Sequence, residues 1–140
     1  MRIMAIDYGD AHTGVAVSDP TGFLTGFTAT ITAYRPEDAA ERLAALAREH
    51  GAEELVLGHP RNMDGSRGPR AEKAEALAEL LREASGLPVV LWDERRTTID
   101  AHRILFQAGK NARQRKKTVD AVAASLILEG YLTYKKSQSK

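Results

Sequence analysis

The hydrophobic period of this chain changes near residue 35, from strand runs alone to helices alternating with strands, and few architectures accommodate that change. Before it, apolar residues come in short runs. Arg2-Ile3-Met4-Ala5-Ile6 stops at Asp7, and Val15-Ala16-Val17-Ser18 follows a polar connector that contains Gly9 and Gly14. These runs read as two strands, at 2–7 and 14–18, joined as a hairpin. Residues 23–32, rich in Thr, Phe and Ile, read as a third, edge-like strand, which makes an antiparallel meander. After residue 35 the spacing becomes helical. Pro36 suits a first helical turn, Ala39, Leu43, Leu46 and Ala47 share a face, and Gly51 ends the run. Leu55 to Gly58 reads as a buried strand, about 70–85 as a helix closed by Gly86 and Pro88, and Val89 to Trp92 as a last strand. Thr97 or Thr98 is placed to cap a helix to about Gln107. Lys110 to Lys117 reads as a basic connector, and Thr118 as the cap of a final helix carrying Val119, Val122, Ala123, Leu126 and Ile127 on one side. The order β-β-β-α-β-α-β-α-α predicts an α/β fold: a mixed five-stranded sheet, three strands antiparallel and two parallel, with helices on both faces. Residues 1–134 form one domain in this reading, and 135–140 a polar tail. Right-handed crossovers set the strands at 55–58 and 89–92 parallel to the first.

Ligands of open α/β sheets bind at the carboxyl ends of the strands. Asp7, Gly58 and Glu94 fall at such ends, and Asp120 falls near the start of the last helix. A carboxylate in an apolar setting must be paired, hydrogen-bonded or metal-bound. Taken singly, each acid has a structural explanation: a turn residue for Asp7, a surface ion-pair run for Asp93-Glu94-Arg95-Arg96, a helix-dipole partner for Asp120. Taken together they suggest a metal site. Three carboxylates in one place repel unless a divalent cation lies between them, and an all-oxygen donor set suits Mg²⁺ or Mn²⁺. A two-metal site would stabilise the attacking and leaving oxygens of a phosphodiester displacement.

Composition narrows the alternatives. There is no Cys, which excludes a disulfide framework and thiolate metal sites. No run approaches a membrane span and none resembles a signal peptide, so a cytoplasmic protein is the expectation. Net charge is only +1, but it is unevenly spread. Residues 1–94 hold 9 Lys/Arg against 16 Asp/Glu, and residues 95–140 hold 11 against 3. A basic C-terminal third beside an acidic site points to a nucleic-acid partner as readily as to a solvated helix. Arg113, Arg115, Lys116 and Lys117 precede Asp120 and suit an anionic backbone. In the 59–68 loop, Arg61, Asn62, Ser66 and Arg67 suit phosphate oxygens, and Arg95 beside Glu94 suits a phosphate or a neighbouring acid. His12 and His59 lie near the same edge, where an ordinary polar role is at least as good a reading as water orientation. Trp92 reads as core, and Tyr131 and Tyr134 as packing residues or anchors of the tail.

Several segments resemble the YqgF family, also called RuvX. They are Asp7-Tyr8-Gly9, Gly14-Val15-Ala16-Val17-Ser18-Asp19, Gly58-His59-Pro60-Arg61-Asn62-Met63-Asp64-Gly65-Ser66, Asp93-Glu94-Arg95-Arg96-Thr97-Thr98 and Lys117-Thr118-Val119-Asp120-Ala121-Val122-Ala123-Ala124. They cover nearly the whole chain in order. The resemblance implies an RNase H-like fold related to the RuvC resolvases, with Asp7, Glu94 and Asp120 as metal-binding catalytic acids. It implies a nuclease of the 5′ end of precursor 16S rRNA, or a Holliday junction resolvase, for which a homodimer would supply two active sites. Association with ribosome precursors goes with the first activity. The chain departs from the family's pattern at Ala11-His12, where basic residues are usual, and at Arg96, where an apolar residue is usual. A non-catalytic nucleic-acid-binding module of the same fold is the main alternative. An actin-like ATPase fits poorly, because 140 residues leave no room for its second domain.

Overall fold

In the computed structural model, residues 1–21, 25–59, 68–93 and 112–138 are described, of which 112–120 and 137–138 by backbone alone. The strands are β1 (Arg2–Asp7), β2 (His12–Ser18), β3 (Thr25–Thr32), β4 (Ala52–His59) and β5 (Val89–Asp93). The helices are α1 (Pro36–His50), α2 (Pro69–Ser85) and α3 (Ala112–Gln138). The strands form one sheet in the order β3-β2-β1-β4-β5. The pairs β1–β2 and β2–β3 are antiparallel, and β1–β4 and β4–β5 are parallel. The expected meander and both expected crossovers are present.

Local chemistry sets the boundaries. Pro36 and Pro69 open α1 and α2, where their fixed φ suits a first turn and their missing N–H costs nothing. Gly51 and Gly86 close them in the left-handed region, at φ 69° and φ 70°, where a side chain would be strained. At the far end of β1, the Ile3 N–H donates to the buried Ser18 Oγ at 2.9 Å, so the hydroxyl satisfies the backbone where the β2 register shifts.

Each face of the sheet has its own core. Met4, Ile6, Val15, Val17, Leu55 and Leu57 pack under α1 and α2. Ile3, Ala5, Ala16 and Val56 pack under α3, against Ala124, Ile127, Leu128, Tyr131 and Leu132. The helices therefore cover both faces, and β1 is buried on each side, as near-continuous apolar runs in parallel sheets require.

The last helix departs from expectation. It starts at Ala112, so residues 112–117 are helical, not a connector, and Thr118 is not its N-cap. Ala112-Arg113-Gln114-Arg115-Lys116-Lys117 are all strong helix formers with no breaker among them, and they outweigh a capping Thr. Its far end reaches Gln138, past Tyr134. Lys135 helps hold that end: its Nζ lies 3.1 Å from Glu54 Oε1 of β4, which also accepts the Tyr131 hydroxyl at 2.7 Å. The predicted helix at 97–107 and the first residues of the predicted third strand, 23 and 24, lie outside the described residues.

Gly130 is an interior residue of α3, over the ring of Trp92. A Cβ there would stand 3.5 Å from Trp92 Cζ2 and Nε1, an ordinary contact distance. Gly130→Ala should therefore recover the helix-propensity difference of about 1 kcal/mol and raise the melting temperature by roughly 3 °C, read by calorimetry.

Candidate active site

The carboxyl ends of β1, β4 and β5 lie side by side. Ile6 pairs with Leu57 and Leu57 with Leu91, while Gly58 pairs with Trp92 and His59 with Asp93. Across the hairpin, Asp7 pairs with Gly14. One residue beyond Ile6 and Leu57, the row reads Gly14, Asp7, Gly58, Trp92. Alternation along β1 assigns Asp7 a face: Met4, Ile6 and Tyr8 pack towards α1 and α2, so Ile3, Ala5 and Asp7 belong to the α3 side. Asp7 is half-buried there, between two strands that both present glycine. Its neighbours within the row, Gly14 and Gly58, carry no side chain.

The hairpin after Asp7 is tight. A Cβ on Gly9 would fall 2.4 Å from the backbone oxygen of His12, so only glycine fits that turn. The tip is tied to α2 by Lys73, whose Nζ lies 3.0 Å from Asp10 Oδ1. This hydrogen bond and the ammonium charge hold the Asp10 carboxyl below its usual range. The pair is exposed and adds little stability; its effect is to orient the turn. Tyr8 backs the turn, its phenol pushed up mainly by burial and further by Asp10.

His59 is the last residue of β4 and is buried. Its Nε2 lies 2.6 Å from Glu75 Oε2 of α2. The imidazole thus anchors the strand end to a helix, a role that sequence reading missed. The signal was present only as a period: Ala71, Ala74 and Ala78 mark the buried face of α2, and Glu75 lies next to it. His12 is on β2, with Nδ1 3.4 Å from Thr32 Oγ1 on the neighbouring strand.

Asp7 is the member of the proposed triad whose surroundings are described. Glu94 follows Asp93 directly, at the end of β5, and lies outside the described residues, as do Arg61, Asn62, Ser66, Arg67 and Arg95. Asp120 is described by its backbone. It lies about two turns inside α3, not in the first turn as the sequence suggested, because the helix begins earlier. It stands four residues before Ala124 and seven before Ile127, on the helical spacing of the sheet-facing stripe. Arg113, Arg115, Lys116 and Lys117 occupy the opening turns of the same helix. Among the described residues no three His, Cys, Asp or Glu side chains gather as a metal cluster. Likewise among the described residues, no helix is long and apolar enough to cross a membrane.

A mixed sheet of this order, with helices on both faces, is the RNase H-like fold. Solved structures agree on the fold. T. thermophilus RuvC in complex with a Holliday junction substrate superposes with a TM-score of 0.64 at 15% identity, covering 100% of this chain and 98% of that one. The fowlpox virus Holliday junction resolvase gives 0.57 at 17% identity, covering 99% of each chain. The chain belongs to the RuvX family, whose model, described as "Holliday junction resolvase", matches residues 1–134. Relatives named "Putative pre-16S rRNA nuclease" include one from Moorella thermoacetica, 48% identical over 135 residues and 94% of each chain. Another, from Halothermothrix orenii, is 44% identical over 134 residues and 96% of each chain.

Proposed function

We propose that this chain is a metal-dependent nuclease that hydrolyses phosphodiester bonds at the 5′ end of precursor 16S rRNA. The observation that carries the reading is Asp7 at the carboxyl edge of the central strand, flanked by Gly14 and Gly58, in a chain that matches the RuvX family from residue 1 to 134. Asp7, Glu94 and Asp120 would hold one or two Mg²⁺ or Mn²⁺ ions. The oxygen-only donors fit such ions. When bound, divalent metal supplies Lewis-acid stabilisation and a nucleophilic water at neutral pH.

The chain's own residues do the rest. The β1–β2 hairpin and the Lys73–Asp10 pair hold the first acid at the rim. His59, pinned by Glu75, fixes the end of β4, from which the chain continues to Arg61, Asn62, Ser66 and Arg67. Those side chains, with Arg95, Arg113, Arg115, Lys116 and Lys117, would bind phosphates, giving affinity and salt dependence more than base preference. Association with ribosome precursors accompanies this reading.

The family description favours a second reading, cleavage of branched DNA, which would call for a homodimer with two sites. A side-by-side assay separates the two. Under the first reading, precursor rRNA with its 5′ extension is shortened in Mg²⁺ or Mn²⁺ while a synthetic four-way junction stays intact. Symmetric nicking of the junction with no rRNA shortening would replace the first reading by the second. Cleavage of neither, with binding retained, would leave a non-catalytic module.

A further inference from the structure

Trp92 and Tyr134 are 42 positions apart in the chain, and the fold brings their rings to 5.7 Å between centroids. Tyr131 completes the group, edge-on to Trp92 at 5.7 Å and stacked with Tyr134 at 6.3 Å. The three differ in access. Tyr131 is buried and tied to Glu54 through its hydroxyl, Trp92 is half-buried, and Tyr134 is 48% exposed. Lys135 lies over the Tyr131 ring, 5.5 Å from its centroid, and Lys136 is exposed on the same turn.

The place of this group matters more than its composition. Trp92 shares the cross-sheet row of Asp7 and belongs to the same face, two strands away, or roughly 10 Å at ordinary strand spacing. The aromatic step starts at Trp92, in the row of Asp7, and continues along α3 towards Glu54 near the start of β4, which Tyr131 and Lys135 meet. Anchoring the end of α3 would account for Tyr131. It does not account for a half-exposed ring on the outer side of that anchor.

We propose that Tyr134, backed by Trp92 and Tyr131, is a stacking platform for an unpaired nucleotide of the strand that reaches the candidate site, with Lys136 drawing in its phosphates. The inference rests on the nuclease reading and adds to it a substrate class: a strand with a single-stranded segment that leads to the bond that is cut. Stacking selects unpaired bases because a base within a duplex already has its faces covered.

The chain has a single Trp, so its emission reports on this platform. The test titrates the Asp7→Asn protein in EDTA, where the strand is neither cut nor repelled by that carboxylate. Three probes are compared: a short single-stranded oligoadenylate, the same strand in a duplex, and inorganic polyphosphate. The single strand should quench Trp92 saturably and the other two should quench weakly. Adding Tyr134→Ala should weaken single-strand binding roughly tenfold, the usual worth of one stacked base, and Tyr134→Phe should restore it. Unchanged binding in Tyr134→Ala with native circular dichroism, or equal quenching by duplex or polyphosphate, would overturn the proposal. The assay does not use cleavage. If wild type cuts nothing while Tyr134-dependent quenching persists, the platform stands and the nuclease reading falls.

Discussion

Asp7→Asn should abolish metal-dependent cleavage while leaving the protein folded. The substitution keeps the side chain's shape and removes the charge that a divalent ion needs. Metal ions contribute several kcal/mol of transition-state stabilisation, and a loss of about 4 kcal/mol corresponds to roughly 10³-fold in rate. Stability should respond differently from activity. In metal-free buffer the variant should melt no lower than wild type, because in the proposed triad the substitution removes one of three like charges. Wild type should gain melting temperature on addition of Mn²⁺, through ligand linkage, and the variant should gain little. A variant that cuts at the wild-type rate, in preparations free of other nucleases, would remove Asp7 from the site altogether.

Gly9→Ala should damage both stability and activity, for one geometric reason. The added Cβ would meet the His12 backbone oxygen at 2.4 Å, and a backbone atom in a paired strand cannot rotate away. The hairpin must open. Overpacking of this kind costs about 3 kcal/mol, which for a chain of this length lowers the melting temperature by roughly 10 °C. Asp7 lies two residues before Gly9, so the shift reaches the acid. A displacement near 1 Å at a catalytic group costs about 10²-fold in rate even in molecules that stay folded. Denaturation and cleavage measured together check this. An unchanged unfolding midpoint would show that the turn relaxes without strain.

Much of the topology was readable from residues with local effects. Pro36, Gly51, Pro69 and Gly86 act on their own φ angles, so the helix boundaries they set need no tertiary context. The start of α3 was misread because Arg113 to Lys117 suggest a solvated connector by charge while favouring a helix by propensity. The contacts around the site were the least readable part. His59 meets Glu75 only once α2 has packed on the sheet, and Trp92 meets Tyr134 only once α3 has crossed it. No local pattern encodes either pair. Asp7 could be singled out because an acid ending an apolar run is anomalous by itself. Glu94 and Asp120 drew their meaning from Asp7 and from the family resemblance, and their joining it is the arrangement proposed here.

The burial of β1 on both faces bears on how the protein opens. Its near partner is β2, a short hairpin away, but its other edge is covered by β4 and one of its faces by residues 124–132. No fragment of the chain can protect β1 completely, and its amides should be released to exchange only when the whole domain unfolds. The acid at its end therefore rides on the most persistent unit of the molecule. The last turns of α3, proposed to handle the substrate, attach through Trp92 to the edge strand β5. Opening of that edge would leave the carboxylate at the centre undisturbed.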